Sequence, residues 1–206
     1  MCVNPTLRVA ILAFDDVEAL DLAGPYEVFT TASRMGQRAA PDAPPCFEVT
    51  CVARSMAPVR MRAGLAVLPG HSFADAPRAD VLIVPGGVVD TAMECSATLE
   101  WIARASRDAR ITASVCTGAF LLAASGVLRS EHIITTHWED IADLRTRFPS
   151  LNVQEGPRWI DQGSIVTSAG ITAGIDMSLH LVARLAGDAL AQRTARQMDF
   201  AWTRPD

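Results

Sequence analysis

The residues from Ile111 to Leu128 form an eighteen-residue run without a single charge, the length at which a membrane-spanning helix has to be considered. Its interior argues for something else. Thr112, Ser114, Thr117, Gly118, Ser125 and Gly126 interrupt the apolar residues; the first part is rich in β-branched residues and the second repeats at helical spacing. The run therefore reads as a buried strand, Ile111 to Cys116, passing directly into a buried helix, Gly118 to Leu128. A strand apolar on both faces belongs in a sheet covered by helices above and below.

The rest of the chain fits such a sheet. Leu7 to Phe14, a helical pattern from about Asp21 to Met35, and Phe47 to Ala53 make an opening strand, helix and strand. Val59 to Leu68 reads as a hairpin around Gly64. Val81 to Val84 reads as a strand stopped by Pro85, Gly86 and Gly87, and Asp90 to Arg107 as one amphipathic helix. A short strand at His132 to Thr135 follows, and the capping-box spacing of Thr136 and Glu139 predicts a helix from near His137 to about Phe148. Arg158 to Ser168 reads as a second hairpin turned at Gln162 and Gly163, and Ile171 to Met198 as helical with a break at Gly187. The expectation is an α/β chain, a single domain over residues 1–206, with a mostly parallel sheet and helices on both faces.

Composition removes several kinds of chemistry. All eighteen basic residues are arginine, which excludes a phosphate loop ending in Gly-Lys, a lysine Schiff base and a Ser-Lys dyad. The net charge of −5 and a pI near 5.3 argue against general attraction to nucleic acid or anionic membrane. Met1 to Phe14 shows no secretory pattern, so the expected location is cytoplasmic. Cys2, Cys46, Cys51, Cys95 and Cys116 form no Cys-x-x-Cys pair, and no disulfide framework is expected. No helical His-Glu-x-x-His or comparable ligand spacing exists, so neither a metal nor a cofactor is expected.

In parallel sheets ligands lie beyond the carboxyl ends of the strands, which selects the loops Asp15 to Asp21, Gly86 to Gly87 and Cys116 to Gly118. Cys116 at a strand-to-helix turn has nucleophile-elbow placement, and a helix N-terminus there favours a thiolate. The Thr117 backbone N–H, with a second donor from Gly87 or Gly86, would form an oxyanion hole.

These residues lie in segments that resemble the ThiJ/PfpI superfamily of class I glutamine-amidotransferase-like proteins. The matching segments are Val-Cys-Thr-Gly-Ala-Phe-Leu-Leu-Ala-Ala-Ser-Gly-Val-Leu from Val115, Thr-Thr-His-Trp from Thr135, Ser-Ala-Gly-Ile-Thr-Ala-Gly-Ile-Asp from Ser168, and Phe-Asp-Asp-Val-Glu-Ala-Leu-Asp-Leu-Ala-Gly-Pro-Tyr-Glu-Val-Phe from Phe14. Within that superfamily the chain looks most like the isonitrile hydratases and the ligand-type domains that precede AraC-like DNA-binding modules. The resemblance implies a flavodoxin-like αβα sandwich, a homodimer, and Cys116 as nucleophile. Its acid partner would be Asp21 by likeness to the hydratases, or Glu18 by likeness to other branches. His137, Trp138, Gly170 and Ile171 would wall the pocket. The protease-like branch has histidine directly after the cysteine where this chain has Thr117, so peptidase activity is not expected.

The plainer alternatives are that Asp21 is a helix N-cap, that Asp15, Asp16 and Glu18 are solvated loop charges, that His137 is a helix-start residue, and that Trp138 packs in the core. The leading expectation is conversion of a small isocyanide to an N-substituted formamide, with Asp21 moving the proton and activating the water. The rivals are a sensing domain that binds a metabolite without turnover, and a glyoxalase-like or stress-response protein that works through Cys116. Only eight residues follow Met198, so direct nucleic-acid binding by this chain is not expected.

Overall fold

The computed structural model describes residues 5–204. In chain order it contains β1 (Leu7–Leu12), α1 (Ala19–Ala39), β2 (Phe47–Ala53), β3 (Val59–Arg60), β4 (Ala66–Val67), β5 (His71–Ser72), β6 (Val81–Val84), α2 (Asp90–Glu94), α3 (Ser96–Asp108), β7 (Ile111–Val115) and α4 (Gly118–Ala124). There follow β8 (Ile133–Ile134), a 3-10 turn (Trp138–Asp140), α5 (Ile141–Arg147), β9 (Asn152–Val153), β10 (Trp159–Asp161), β11 (Ile165–Ser168), α6 (Ala173–Ala186) and α7 (Asp188–Gln197).

Seven strands form the main sheet in the order β10-β11-β7-β6-β1-β2-β5. Every neighbouring pair is parallel except β10 with β11, the expected second hairpin. Helices α1, α6 and α7 pack on one another, as do α3 and α4, so the sheet carries a helical layer on each face. The central strands β6 and β7 are buried along their whole length, which is why their sequences are apolar without alternation. The uncharged run from Ile111 is thus a strand followed by a helix. Among the described residues no helix is long and apolar enough to cross a membrane.

The register sets up one end of the sheet. Val84 pairs with Ser114, and Ser168 with Val115, so the chain leaves β6, β7 and β11 at the same level. The segments beginning at Pro85, Cys116 and Ala169 emerge side by side there. Gly118 allows the turn out of β7, because a Cβ at that position would lie 2.1 Å from the Val84 carbonyl oxygen.

Several expected boundaries move. The helix expected over Asp90 to Arg107 is two helices, divided at Cys95, whose backbone is extended. The helix after Cys116 ends at Ala124 rather than Leu128, and Gly126 turns the chain at φ +73°. Helix α1 begins at Ala19, so Asp21 lies inside its first turn and Glu18 holds the N-cap position. The expected Thr136–Glu139 capping box does not form, because the Thr136 hydroxyl donates to the Cys116 carbonyl at 2.8 Å. Strands β5 and β9 have two residues each and no pattern of their own. The break at Gly187 stands where it was expected, with φ +95°.

Replacing Gly118 with alanine forces β6 and α4 apart and is expected to cost about 2 kcal/mol. Urea unfolding of Gly118→Ala measures this, and an unchanged midpoint would show that the close approach to Val84 is not needed.

Candidate functional site

Because β1, β6 and β7 are adjacent in the sheet, the three loops singled out by sequence meet at its carboxyl edge. Backbone bonds tie them together: Glu18 N–H donates to Gly86 O at 2.9 Å, and Val88 N–H to Asp16 O at 3.0 Å. Gly87, at φ +139°, runs so close to the first loop that a Cβ there would lie 2.3 Å from Asp16 O.

Cys116 has φ +55°, a left-handed conformation costing a residue with a side chain roughly 1–2 kcal/mol. Its surroundings hold it there. The Cys116 N–H donates to Ser168 O at 3.1 Å and Ala169 O at 3.3 Å, while its carbonyl accepts from Thr136. Cys116 thus stands at a turn between β7 and α4, with the residue only 7% exposed.

Asp21 is fully buried and lies against that thiol. Its Oδ2 accepts from Gly86 N–H at 3.1 Å, whereas Oδ1 has no hydrogen-bond partner. Asp176, also fully buried, makes an instructive contrast. Its Oδ2 accepts from Arg158 Nε at 2.9 Å and its Oδ1 from Thr203 N–H at 2.7 Å. Buried carboxylates in finished structural networks have their partners. Asp176 is such a residue, and Asp21 is not.

Burial raises the Asp21 pKa to about 7 against the opposing pull of the Gly86 N–H and the Cys116 thiol, and the charge of Glu18 adds to the rise. Cys116 is pushed up to about 12, first by burial and then by the Asp21 charge, although the Thr117 N–H draws the other way. This corrects the expectation of a helix-stabilised thiolate. Helix α4 has only seven residues, and its end is outweighed first by burial of the thiol and then by the adjacent carboxylate. Below about pH 7 the pair holds two protons, and above it one, carried by sulfur beside an ionised Asp21.

The expected oxyanion hole is corrected as well. Gly87 N–H donates to Thr117 Oγ1 at 2.8 Å, and that hydroxyl donates back to Gly87 O at 2.9 Å; Gly86 N–H is engaged by Asp21. The Thr117 N–H is the backbone donor that acts on the sulfur. Gly86 serves by being small, since a Cβ there would lie 2.5 Å from Thr117 Oγ1 and 3.0 Å from Asp21 Oδ2. Glu18, the alternative acid partner, instead faces Arg62 at 3.6 Å. Asp21 is also no helix N-cap.

On the far flank of Cys116, Gly170 packs against the His137 ring so tightly that a Cβ would lie 2.0 Å from His137 Cδ2. His137 Nδ1 lies 3.3 Å from Asp140 Oδ2 and 3.4 Å from Glu139 N. Trp138 is 70% exposed beside that ring, which removes the core-packing alternative, and Ile171 is 37% exposed. Asp140 was missed by sequence reasoning; burial raises its pKa, and its charge acts on Cys116. The signal available was its position three residues after His137, obscured by Glu139 beside it.

The remaining cysteines differ from one another. Cys51 is a buried core thiol pushed up to about 11 by burial, and Cys46 is buried in the core; Cys2 lies outside the described residues. Cys95 lies on a cavity of about 180 Å³. Its pKa is lowered by the Thr98 hydroxyl, the Thr98 N–H and Arg54, whose Nη1 is 4.0 Å from the sulfur. Iodoacetamide near pH 7.5 is therefore expected to label Cys95 before Cys116; mass spectrometry of the peptides gives the order, and Cys116 reacting first would contradict this assignment of charge.

A carboxyl whose pKa is raised by folding weakens the fold as pH climbs from its ordinary value of 3.8 to about 7, to a full cost on the order of 4 kcal/mol above that range. Asp21→Asn is expected to stabilise the protein by a few kcal/mol at about pH 8 and by little at about pH 4. Thermal unfolding at both pH values tests this, and equal effects would show that burial of the charge is not the cause.

Comparison with known proteins agrees with the fold. The model of the DJ-1/PfpI family matches residues 7–184. An isonitrile hydratase of Pseudomonas putida is 36% identical over 196 residues, covering 95% of this chain and 79% of that protein. The HTH-type transcriptional regulator CdhR of Pseudomonas aeruginosa is 30% identical over 148 residues, 72% of this chain but only 44% of the regulator. Among solved structures, a THiJ/PfpI family protein from Pseudomonas syringae superposes with a TM-score of 0.82 at 28% identity, covering 98% of this chain and 78% of that one. Drosophila melanogaster DJ-1beta shares the fold, with a TM-score of 0.80 at 17% identity over 96% of this chain and 100% of its own. The resemblance drawn from the motifs holds, and the chain belongs to the DJ-1/PfpI family.

Proposed function

We propose that the protein adds water to a small isocyanide, giving the N-substituted formamide, with Cys116 as nucleophile and Asp21 as its proton partner. The observation that carries this reading is the Cys116–Asp21 pair. It joins a thiol at a strained elbow to a fully buried carboxyl with one oxygen unpartnered. The isonitrile hydratase likeness over 95% of this chain supports it.

The pair supplies what the reaction needs. An isocyanide carbon accepts a nucleophile and must then be protonated. Sulfur bonds to that carbon while the thiol proton passes through Asp21 to the same carbon, leaving a thioimidate, S–CH=N–R. Water then adds across C=N and the C–S bond breaks, which returns the thiol and releases R–NH–CHO. A neutral thiol next to an ionised carboxylate avoids a free buried thiolate at any stage. Exposed Val88, Trp138 and Ile171 on the surrounding loops suit an uncharged substrate. A cytoplasmic homodimer belongs to this reading and rests on the family likeness.

A second reading is a sensing domain that binds without turnover, favoured by the match to part of CdhR. A panel of aryl and alkyl isocyanides separates the two. Cys116→Ala is expected to lower formamide production by about a thousandfold or more with the fold intact. In the wild type kcat/KM is expected to rise with pH through about 7, as Asp21 loses its proton, and then level off. A rate unchanged by Cys116→Ala contradicts the proposal, as does a flat profile between about pH 5.5 and 8.5.

A further inference from the structure

We propose that the cavity beyond the ends of β1 and β2 binds a small amino-acid disulfide of the cystine class, and that Cys95 in its wall exchanges with it to form a mixed disulfide. This site stands apart from the Cys116–Asp21 pair and does not depend on the isocyanide reading.

The fold builds the cavity at the carboxyl ends of parallel strands, where ligands of such sheets sit. Phe14 and Asp15 follow β1, Arg54 follows β2, and Cys95 and Thr98 come from the start of α3; all five line it. Because β1 lies between β6 and β2, this cavity is on the β2 side of β1, whereas the Cys116 site is on the β6 side. Its volume is about 180 Å³. A cavity of about 150 Å³ holds benzene, so this one takes a half-cystine and leaves the other half outside.

Three groups of different character meet at the wall. Cys95 is half-buried, while Cys51 and Cys116 are buried, so it is the thiol that a disulfide in solution can reach. It holds the N-cap position of the thirteen-residue helix α3, and Arg54 Nη1 lies 4.0 Å from its sulfur. Among the described residues no ion pair joins Arg54 to a carboxylate, which leaves the guanidinium for the ligand. Asp15 Oδ1 accepts the Arg60 N–H at 2.9 Å, and its Oδ2 has no hydrogen-bond partner among the described residues. A cation, an anion and a reachable sulfur on one wall match a ligand that carries a carboxylate and an ammonium beside its own sulfur.

The thiol is also prepared to react. The Thr98 hydroxyl and N–H, and then Arg54, lower the Cys95 pKa and outweigh the burial that opposes them, whereas Cys51 and Cys116 are pushed up to about 11 and about 12. The Cys95 thiolate attacks one sulfur of the disulfide, and the new S–S bond forms as the old one breaks. The second half leaves as a thiolate that takes a proton from water. Cys95 is oxidised and the departing half reduced, so no further oxidant enters. Arg54 pairs with the carboxylate of the retained half and Asp15 with its ammonium.

The test treats the full chain at about pH 7.5 with cystine, with cystamine, which has the ammonium alone, and with dithiodiglycolate, which has the carboxylate alone. Peptide mass spectrometry follows the adduct at each cysteine. Each rate at Cys95 is divided by that of the same disulfide with the urea-unfolded chain, which removes intrinsic reactivity. Cys95 is expected to be the first cysteine modified by cystine, and its normalised rate with cystine to exceed those with both other disulfides by about threefold or more. Arg54 and Asp15 are both exposed, so their substitution leaves the core intact. Arg54→Gln should remove the advantage over cystamine, and Asp15→Asn the advantage over dithiodiglycolate; a change in thiol activation alone would slow all three disulfides together. A cystine adduct forming first at another cysteine overturns the exchange at Cys95. Equal normalised rates in the wild type, or ratios that neither variant changes, overturn the cavity as the place where the disulfide is recognised.

Discussion

A carboxyl with no exposed surface pressed against a thiol at a left-handed turn is an arrangement that neither residue stabilises by itself. Asp21 comes from the first turn of α1 and Cys116 from the junction of β7 and α4. They meet because β1, β6 and β7 are neighbours and leave the sheet on a common edge. The fold tolerates the pair through close backbone approaches. Gly86 leaves room between Asp21 and Thr117, Gly118 lets α4 begin against Val84, and Gly170 admits the His137 ring. A side chain at any of the three meets another group at hard contact.

Electrostatics then gives the pair its character. Burial favours neutral forms of both groups, and an anion on either raises the proton affinity of the other. The outcome is a thiol that keeps its proton beside a carboxyl that loses its own near pH 7, not a thiolate waiting at a helix end. Asp176 shows that the chain can bury a carboxylate with a full set of partners when it serves the fold, with Arg158 and the Thr203 N–H answering its charge. Leaving Asp21 with one oxygen unanswered costs stability, and functional sites are where such costs are found.

Much of this was legible in the residues. The change from β-branched to helical spacing around Cys116 marked both the central strand and the elbow, and Gly64, Gly163 and Gly187 marked turns that formed as expected. Asp21 could be narrowed to one of two carboxylates. What local pattern could not carry were tertiary choices: Thr136 bonds across to Cys116 instead of capping its own helix, and the Thr117 hydroxyl occupies the Gly87 amide. The charge state of the thiol was misread for the same reason. A helix end is visible in sequence, but the burial of the thiol and the carboxylate from another element, which together outweigh it, are tertiary.

The protonation state of the pair is the centre of this account, and infrared difference spectroscopy reads it directly. The spectra of wild type and Cys116→Ala, taken from about pH 5 to 9, isolate the Cys116 S–H stretch, and those of wild type and Asp21→Asn isolate the Asp21 carboxyl C=O stretch. The account predicts an S–H band that persists across the whole range and a carboxyl band that disappears near pH 7. Loss of the S–H band by neutral pH, with Asp21 already ionised at about pH 5, would contradict it.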